Sequence, residues 1–180
     1  MTRFLPQLLL FSTVILFSAC SSLSVAFDYD QQVDFSKYRS YQWQDGIGIS
    51  WNKDGSTLSY DKNIVHTAVN SLLSRKGYII LISGDPDFFI VPHVNAKDII
   101  RVSQWGYQYG PDWAPSTQVI DAAFYDGNNL FLDIVDARSR TLIWRGVATE
   151  MNPANLTPEV VTETVRKAAS EMFKKFPPEQ

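Results

Sequence analysis

Few side chains here have the chemistry of a reaction centre: the 180 residues include one cysteine and two histidines. The surroundings of Cys20 exclude most uses of a thiol. It has no intramolecular disulfide partner, and zinc would need about four clustered Cys, His or acidic ligands, which the chain does not supply. A thiolate nucleophile needs a base, and only His66 and His93 are on offer, both remote from a residue set in an apolar, signal-like run. His66 lies between Ile64 and Ala68, off the apolar stripe of a helical pattern, so solvent exposure is expected. His93, beside Pro92 in a strand-like run, is the candidate general base, with Asp121 or Asp133 as its carboxylate. The pairs Asp28/Asp30 and Asp85/Asp87 sit two apart, on one face if in a strand, where a hard cation could bind. The favoured reading is that they tie turns through backbone N–H groups, and neither a metal nor a cofactor is expected. Trp105, Tyr107, Tyr109 and Trp113 alternate with Gly and Gln in a long loop and form the candidate interaction surface. Such rings stack on sugars or settle at a lipid interface, but with only Arg101 as a basic companion they are expected to cover an end of the sheet.

The elements that must position these residues follow from periodicity. Residues 23–30 alternate apolar and polar, the signature of a strand with one buried face, and a turn at 34–38 leads to a second short strand at 39–44. Residues 45–59 read as loop. Ile64, Val65, Ala68, Val69, Leu72 and Leu73 recur at helical spacing over 61–76, with Gly77 as the C-terminal cap. The apolar run 78–82 predicts a buried strand, and 88–95 another, in which Pro92 marks an edge or a bulge. After the long loop 97–118, strands at 119–125, 130–136 and 142–149 form a meander. With Asp136 facing Leu142, Asp133 stands opposite Arg145 as a cross-strand ion pair rather than a catalytic acid. Thr157 as N-cap and Pro158 at the first helical position open a final helix, which buries Val161, Val165, Ala168, Met172 and Phe176. Two helices with one apolar stripe each predict an α+β fold, a largely antiparallel sheet with both helices packed on one face.

The amino terminus is organised differently. A charged start at Arg3, an apolar run over 8–17 and small residues at Ser18 and Ala19 make an export signal, too short to span a bilayer, which takes roughly twenty apolar residues. Leu16-Phe17-Ser18-Ala19-Cys20 resembles the lipobox of bacterial lipoproteins, in which the cysteine is acylated and becomes the first mature residue. That resemblance implies lipid attachment (palmitate) at Cys20, and Ser21 after it implies outer-membrane sorting in a Gram-negative cell. The expected organisation is a lipoprotein signal peptide at 1–19, lipidated cysteine and tether at 20–24, and one domain at 25–178. Loss of 1–19 removes one basic residue, so 16 basic against 19 acidic becomes 15 against 19. An acidic balance with no basic run argues against a nucleic-acid partner.

The mature chain resembles the DUF4136 family of bacterial lipoproteins. The likeness is carried by Asp34-Phe35-Ser36-Lys37-Tyr38, Tyr41-Gln42-Trp43, Lys76-Gly77-Tyr78, Pro86-Asp87-Phe88, Asp133-Ile134-Val135-Asp136-Ala137 and Leu142-Ile143-Trp144-Arg145-Gly146. It implies a periplasm-facing envelope lipoprotein of unestablished biochemical role and supplies no catalytic residues. A non-enzymatic structural or interaction module, held to the membrane by its lipid and meeting an envelope protein, lipid or cell wall, is therefore expected. The alternatives are a hydrolase using His93 with an Asp, which would need both in a pocket with a hydroxyl, and a lipid or small-molecule carrier with an apolar cavity between sheet and helices.

Overall fold

The computed structural model describes residues 23–44, 62–94, 108–110, 129–149 and 157–179. Cys20, the loop 45–59, the expected strand 119–125 with Asp121, and Trp105, Tyr107 and Trp113 lie outside them. The described strands are β1 (Ser24–Tyr29), β2 (Ser40–Trp43), β3 (Ile79–Ile80), β4 (Phe88–Val94), β5 (Leu130–Asp136) and β6 (Leu142–Thr149). Helix α1 (Lys62–Arg75) falls between β2 and β3, and α2 (Pro158–Phe173) follows β6. One sheet results, in the order β1-β6-β5-β4-β2-β3. The β1–β6, β6–β5 and β5–β4 pairings are antiparallel, whereas β2 runs parallel to both β4 and β3. The fold is α+β with a mostly antiparallel sheet, as the periodicity implies.

Alternation along each strand sorts side chains between two faces. Leu130, Leu132 and Ile134 of β5, Phe88 and Ile90 of β4, and Trp144 and Ala148 of β6 join Val65, Val69 and Leu73 of α1 and Val165, Ala168 and Met172 of α2 in the main core. Aromatic rings fill its lower part. Phe88 stacks on Tyr41 at 5.6 Å and meets the edges of Tyr78 and Phe176 at 5.7 and 6.1 Å. Both helix ends follow their sequence signals. Gly77, at φ +86°, lets its own N–H reach Ser74 O and the Tyr78 N–H reach Leu73 O, the paired bonds of a Schellman cap. Thr157 Oγ1 accepts the Val160 N–H at the start of α2.

Five sequence readings need correction. The run 78–82 is not a buried strand: only Ile79 and Ile80 pair, at the sheet edge, and they are 60% and 45% exposed, with Ile82 fully so. Tyr78 takes the buried place because it closes the helix cap, and β3 has a neighbour, β2, on one side only. Second, Asp136 does not face Leu142. A bulge between Ile134 and Val135 sets Leu142 opposite Val135, yet Asp133 still pairs with Arg145 because the shift lies beyond that pair. Third, β5 is buried from Leu130 to Val135 on both faces, and Tyr109 from the long loop packs with Val91, Val135 and Leu142 on the face away from the helices. That ring covers a sheet face, where covering of a sheet end was expected. Fourth, His66 is half-buried, as described below. Fifth, the edge or bulge expected at Pro92 is not found, since β4 has a neighbour on each side and pairs with β5 in unbroken register. The Ile90 carbonyl accepts from Gln44 N where β2 ends, so the same side of Pro92, two residues on, needs no donor toward β2.

Candidate functional site

The face of the sheet away from the helices carries the densest polar cluster among the described residues. Val91 and His93 of β4, Asp133 and Val135 of β5 and Arg145 of β6 share it, because each is an even number of residues from the next on its strand or lies opposite in the register. Asp133 is fully buried, His93 3% exposed and Tyr109 3% exposed. Arg145 grips the carboxylate with two bonds, Nε to Oδ1 at 2.6 Å and Nη2 to Oδ2 at 2.5 Å. The Tyr109 hydroxyl donates to Oδ2 as well, and His93 Nε2 lies 3.3 Å from that oxygen and 3.1 Å from the hydroxyl. The loop segment bearing Tyr109 is docked by backbone: its N–H donates to Arg140 O, and Gln108 bridges to Thr141.

The electrostatics define what these groups can do. Burial alone would raise the Asp133 carboxyl, but the adjacent Arg145 charge and its two hydrogen bonds outweigh that and hold it well below the usual range. Burial lowers and Asp133 raises Arg145, with the second effect winning. Burial and then the Asp133 charge push the Tyr109 phenol well above its ordinary value, so it stays a donor. The cluster is a buried ion pair whose remaining acceptor capacity is taken by a phenol and an imidazole. A carboxylate clamped by two guanidinium bonds is a poor proton acceptor, and a phenol held protonated is a poor nucleophile. His93 and Asp133, brought together as the hydrolase reading requires, meet in a buried cluster, each no more than 3% exposed.

The other candidates resolve into structural contacts. The His66 ring stacks on Trp43 with centroids 3.9 Å apart, because Trp43 folds over α1 to donate its Nε1–H to Asn70. Tyr41 donates to the same Asn70 oxygen. Asp87 Oδ2 accepts the backbone N–H groups of Arg39 and Ser40 and the Ser40 hydroxyl, all within 2.9 Å, so it fastens β2 to the start of β4. Asp30 accepts Gln32 N in a turn, and Asp28 stands opposite Arg145 on β1 while accepting Tyr29 N. No group of three or more metal-ligating side chains occurs among the described residues. Between sheet and helices, core side chains of both layers form one cluster among the described residues. An open cleft of about 460 Å³ lies instead along the outer side of the helix pair, and no sheet residue lines it.

The motif residues all carry structure too. Asp34 caps a single 3-10 turn by accepting Ser36 N, which seats Phe35 in the core. Tyr38 donates to Asp136, whose other oxygen accepts Arg138 N and Ser139 N and so shapes the β5–β6 turn. Trp144 fills the helix-side core, Arg145 reaches the opposite face, and Gly146 leaves room for both the indole and Met172: a Cβ there would stand 2.5 Å from Trp144 Cη2 and 2.8 Å from Met172 Sδ. The family profile described as domain of unknown function DUF4136 matches residues 25–178. The chain belongs to the DUF4136 family. A crystal structure of a DUF4136 family protein from Bacteroides thetaiotaomicron is similar over 86% of this chain and 96% of that one, at 17% identity and a TM-score of 0.56. A PDZ domain protein from Parabacteroides distasonis is similar over 88% of this chain but only 37% of its own, at 14% identity and a TM-score of 0.50. At such identities these likenesses establish the shared fold. No curated protein sequence matches the chain.

Within this DUF4136 domain, sequence reasoning found the Asp133–Arg145 pair and missed Tyr109 as its partner. The available signal was a Tyr in a long loop opposite a strand bearing a central charged residue, a pattern that names no register.

Proposed function

We propose that the protein is an envelope lipoprotein, anchored in the outer membrane of a Gram-negative cell through acylated Cys20, and that its domain is a non-enzymatic structural or interaction module. The observation that carries this reading is a spacing. Cys20 ends an apolar, signal-like run, and the first sheet-paired residue, Ser24, follows after only Ser21, Ser22 and Leu23. Four extended steps reach about 14 Å, at about 3.5 Å per residue, so the fold is held against the bilayer surface. Two or more acyl chains, at about 0.8 kcal/mol per buried methylene, suffice as the anchor. No described helix is long and apolar enough to cross a membrane. The non-enzymatic half of the reading draws on the roles of Asp34, Phe35, Gly77, Trp144 and the Asp133–Arg145 pair, which go to a cap, the core, a helix stop and the buried ion pair.

Growth with radiolabelled palmitate is the test. Label should enter the wild-type protein and leave Cys20→Ser unlabelled, and wild type alone should fractionate with outer membranes. Equal labelling of both forms would refute acylation at this residue.

A further inference from the structure

Helices α1 and α2 lie side by side on the sheet. Lys76 Nζ donates to Lys174 O at 3.4 Å, which brings the two C-terminal ends together, so the helices run parallel. The outward groove between them holds the cleft of about 460 Å³. Its floor is apolar, with Ile64, Ala68 and Leu72 of α1 spaced four apart so that they line up along one face. Its rim is hydroxylated by Thr67 and Ser71 on one side and by Thr162 and Ser170 on the other. The two charged side chains that line it, Arg75 and Arg166, are both cationic in a chain of net charge −3. Arg166 is engaged by Glu163 through two of its nitrogens, whereas Arg75, at the end of the groove, gives one bond to Ser71 Oγ and keeps its other donors toward solvent.

We infer that this groove binds a single long acyl chain ending in an acidic head, with the chain along Ile64, Ala68 and Leu72 and the head at Arg75. Size and charge select this occupant. From residue 63 to residue 75 the groove is about 18 Å long at 1.5 Å per residue. An extended alkyl chain fits along a groove of that length. The cation at one end matches a carboxylate, and Arg presents the fork geometry that carboxylates prefer. This site is separate from the acyl group attached at Cys20, and the inference does not depend on the anchoring reading.

The test uses the full chain carrying Cys20→Ser, so that no attached lipid competes, titrated with a dansyl-labelled undecanoic acid. Saturable fluorescence enhancement is expected, reversed by palmitate and at least about tenfold less effectively by hexadecanol, which has the same tail without the charge. Arg75→Gln should weaken binding by about tenfold, and Thr67→Trp, which fills the groove from an exposed position, should abolish it. Ser71→Trp gives an independent block should Thr67→Trp fail to fold, and unchanged thermal unfolding of each variant ties the loss to the groove. Absence of saturable binding, binding indifferent to all three substitutions, or equal displacement by hexadecanol and palmitate would each overturn the proposal. So would displacement of the probe by an amphipathic peptide but not by palmitate.

Discussion

At the scale of single residues, the Asp133–Arg145 pair decides how the second sheet face is held. Removing two charges from water is costly, and the pair is tolerated because the carboxylate receives a bidentate guanidinium and further polar contacts from Tyr109 and His93. Breaking it from one side removes the carboxylate that grips the largely buried Arg145 guanidinium. Asp133→Ala should therefore cost about 3–5 kcal/mol in urea unfolding. Removing both charges avoids that penalty, so Asp133→Leu combined with Arg145→Met should recover at least about 2 kcal/mol of the single loss, a coupling in the range seen for neighbours in one network. Strictly additive losses would show that the two side chains are not energetically paired. Of this cluster, the strand pair was legible because hairpin partners lie only twelve residues apart and share a register. His93 and Tyr109 arrive from another strand and from a long loop, and their meeting depends on topology that no local pattern encodes.

At the scale of elements, two glycines do work that no other residue could do cheaply. Gly77 sits at φ +86°, where a side chain clashes with the following carbonyl, and closing α1 there is what sends Tyr78 into the core. Gly146 has ordinary backbone but no space: Trp144 and Met172 occupy the volume of any Cβ. We expect Gly77→Ala to lose about 1–2 kcal/mol and Gly77→Asn less, since Asn tolerates the left-handed region. Gly146→Ala should lose about 1–3 kcal/mol by overpacking, and Gly146→Ala with Met172→Ala should not restore it, because the indole still collides. Circular dichroism melts of the four variants check both, and a Gly146→Ala protein as stable as wild type would show that Trp144 repacks freely. The helices themselves were legible, down to the Thr157 cap and the Gly77 stop, because capping and 3.6-residue periodicity are local. The β3 edge was not. The five residues of the apolar run 78–82 look alike whether they enter a core or line an open edge, and only the strand order tells them apart.

At the scale of the whole molecule, carboxylates tie together regions that are distant in sequence, and this sets the dependence of stability on pH. In Asp133, burial is outweighed by Arg145; in Asp136, burial is outweighed by the Ser139 N–H and hydroxyl; in Asp87, by the Arg39 and Ser40 N–H groups. Asp34 is lowered by hydrogen bonds from Ser36 and Lys37. Asp87 joins β2 to β4, Asp136 joins the β5–β6 turn to Tyr38, and Asp133 joins β4, β5 and β6. All four have folded-state values below the unfolded value of about 3.9, so in acid the unfolded chain binds protons first. Their contribution is then fully present above about pH 4 to 5 and is lost as pH falls through the folded values. Thermal midpoints should be nearly level from pH 7 to pH 5 as far as these groups are concerned and should fall steeply below pH 4. Asp87→Asn and Asp136→Asn should each be less stable at neutral pH and show a shallower acid fall, because the variant has already lost what protonation removes. A variant with an unchanged acid slope would place the pH dependence elsewhere, and the same measurement on Asp133→Asn separates the buried ion pair from the turn-forming carboxylates: that variant should lose the part of the fall at the lowest pH, since in the wild type the Arg145 charge holds the Asp133 carboxyl well below the usual range.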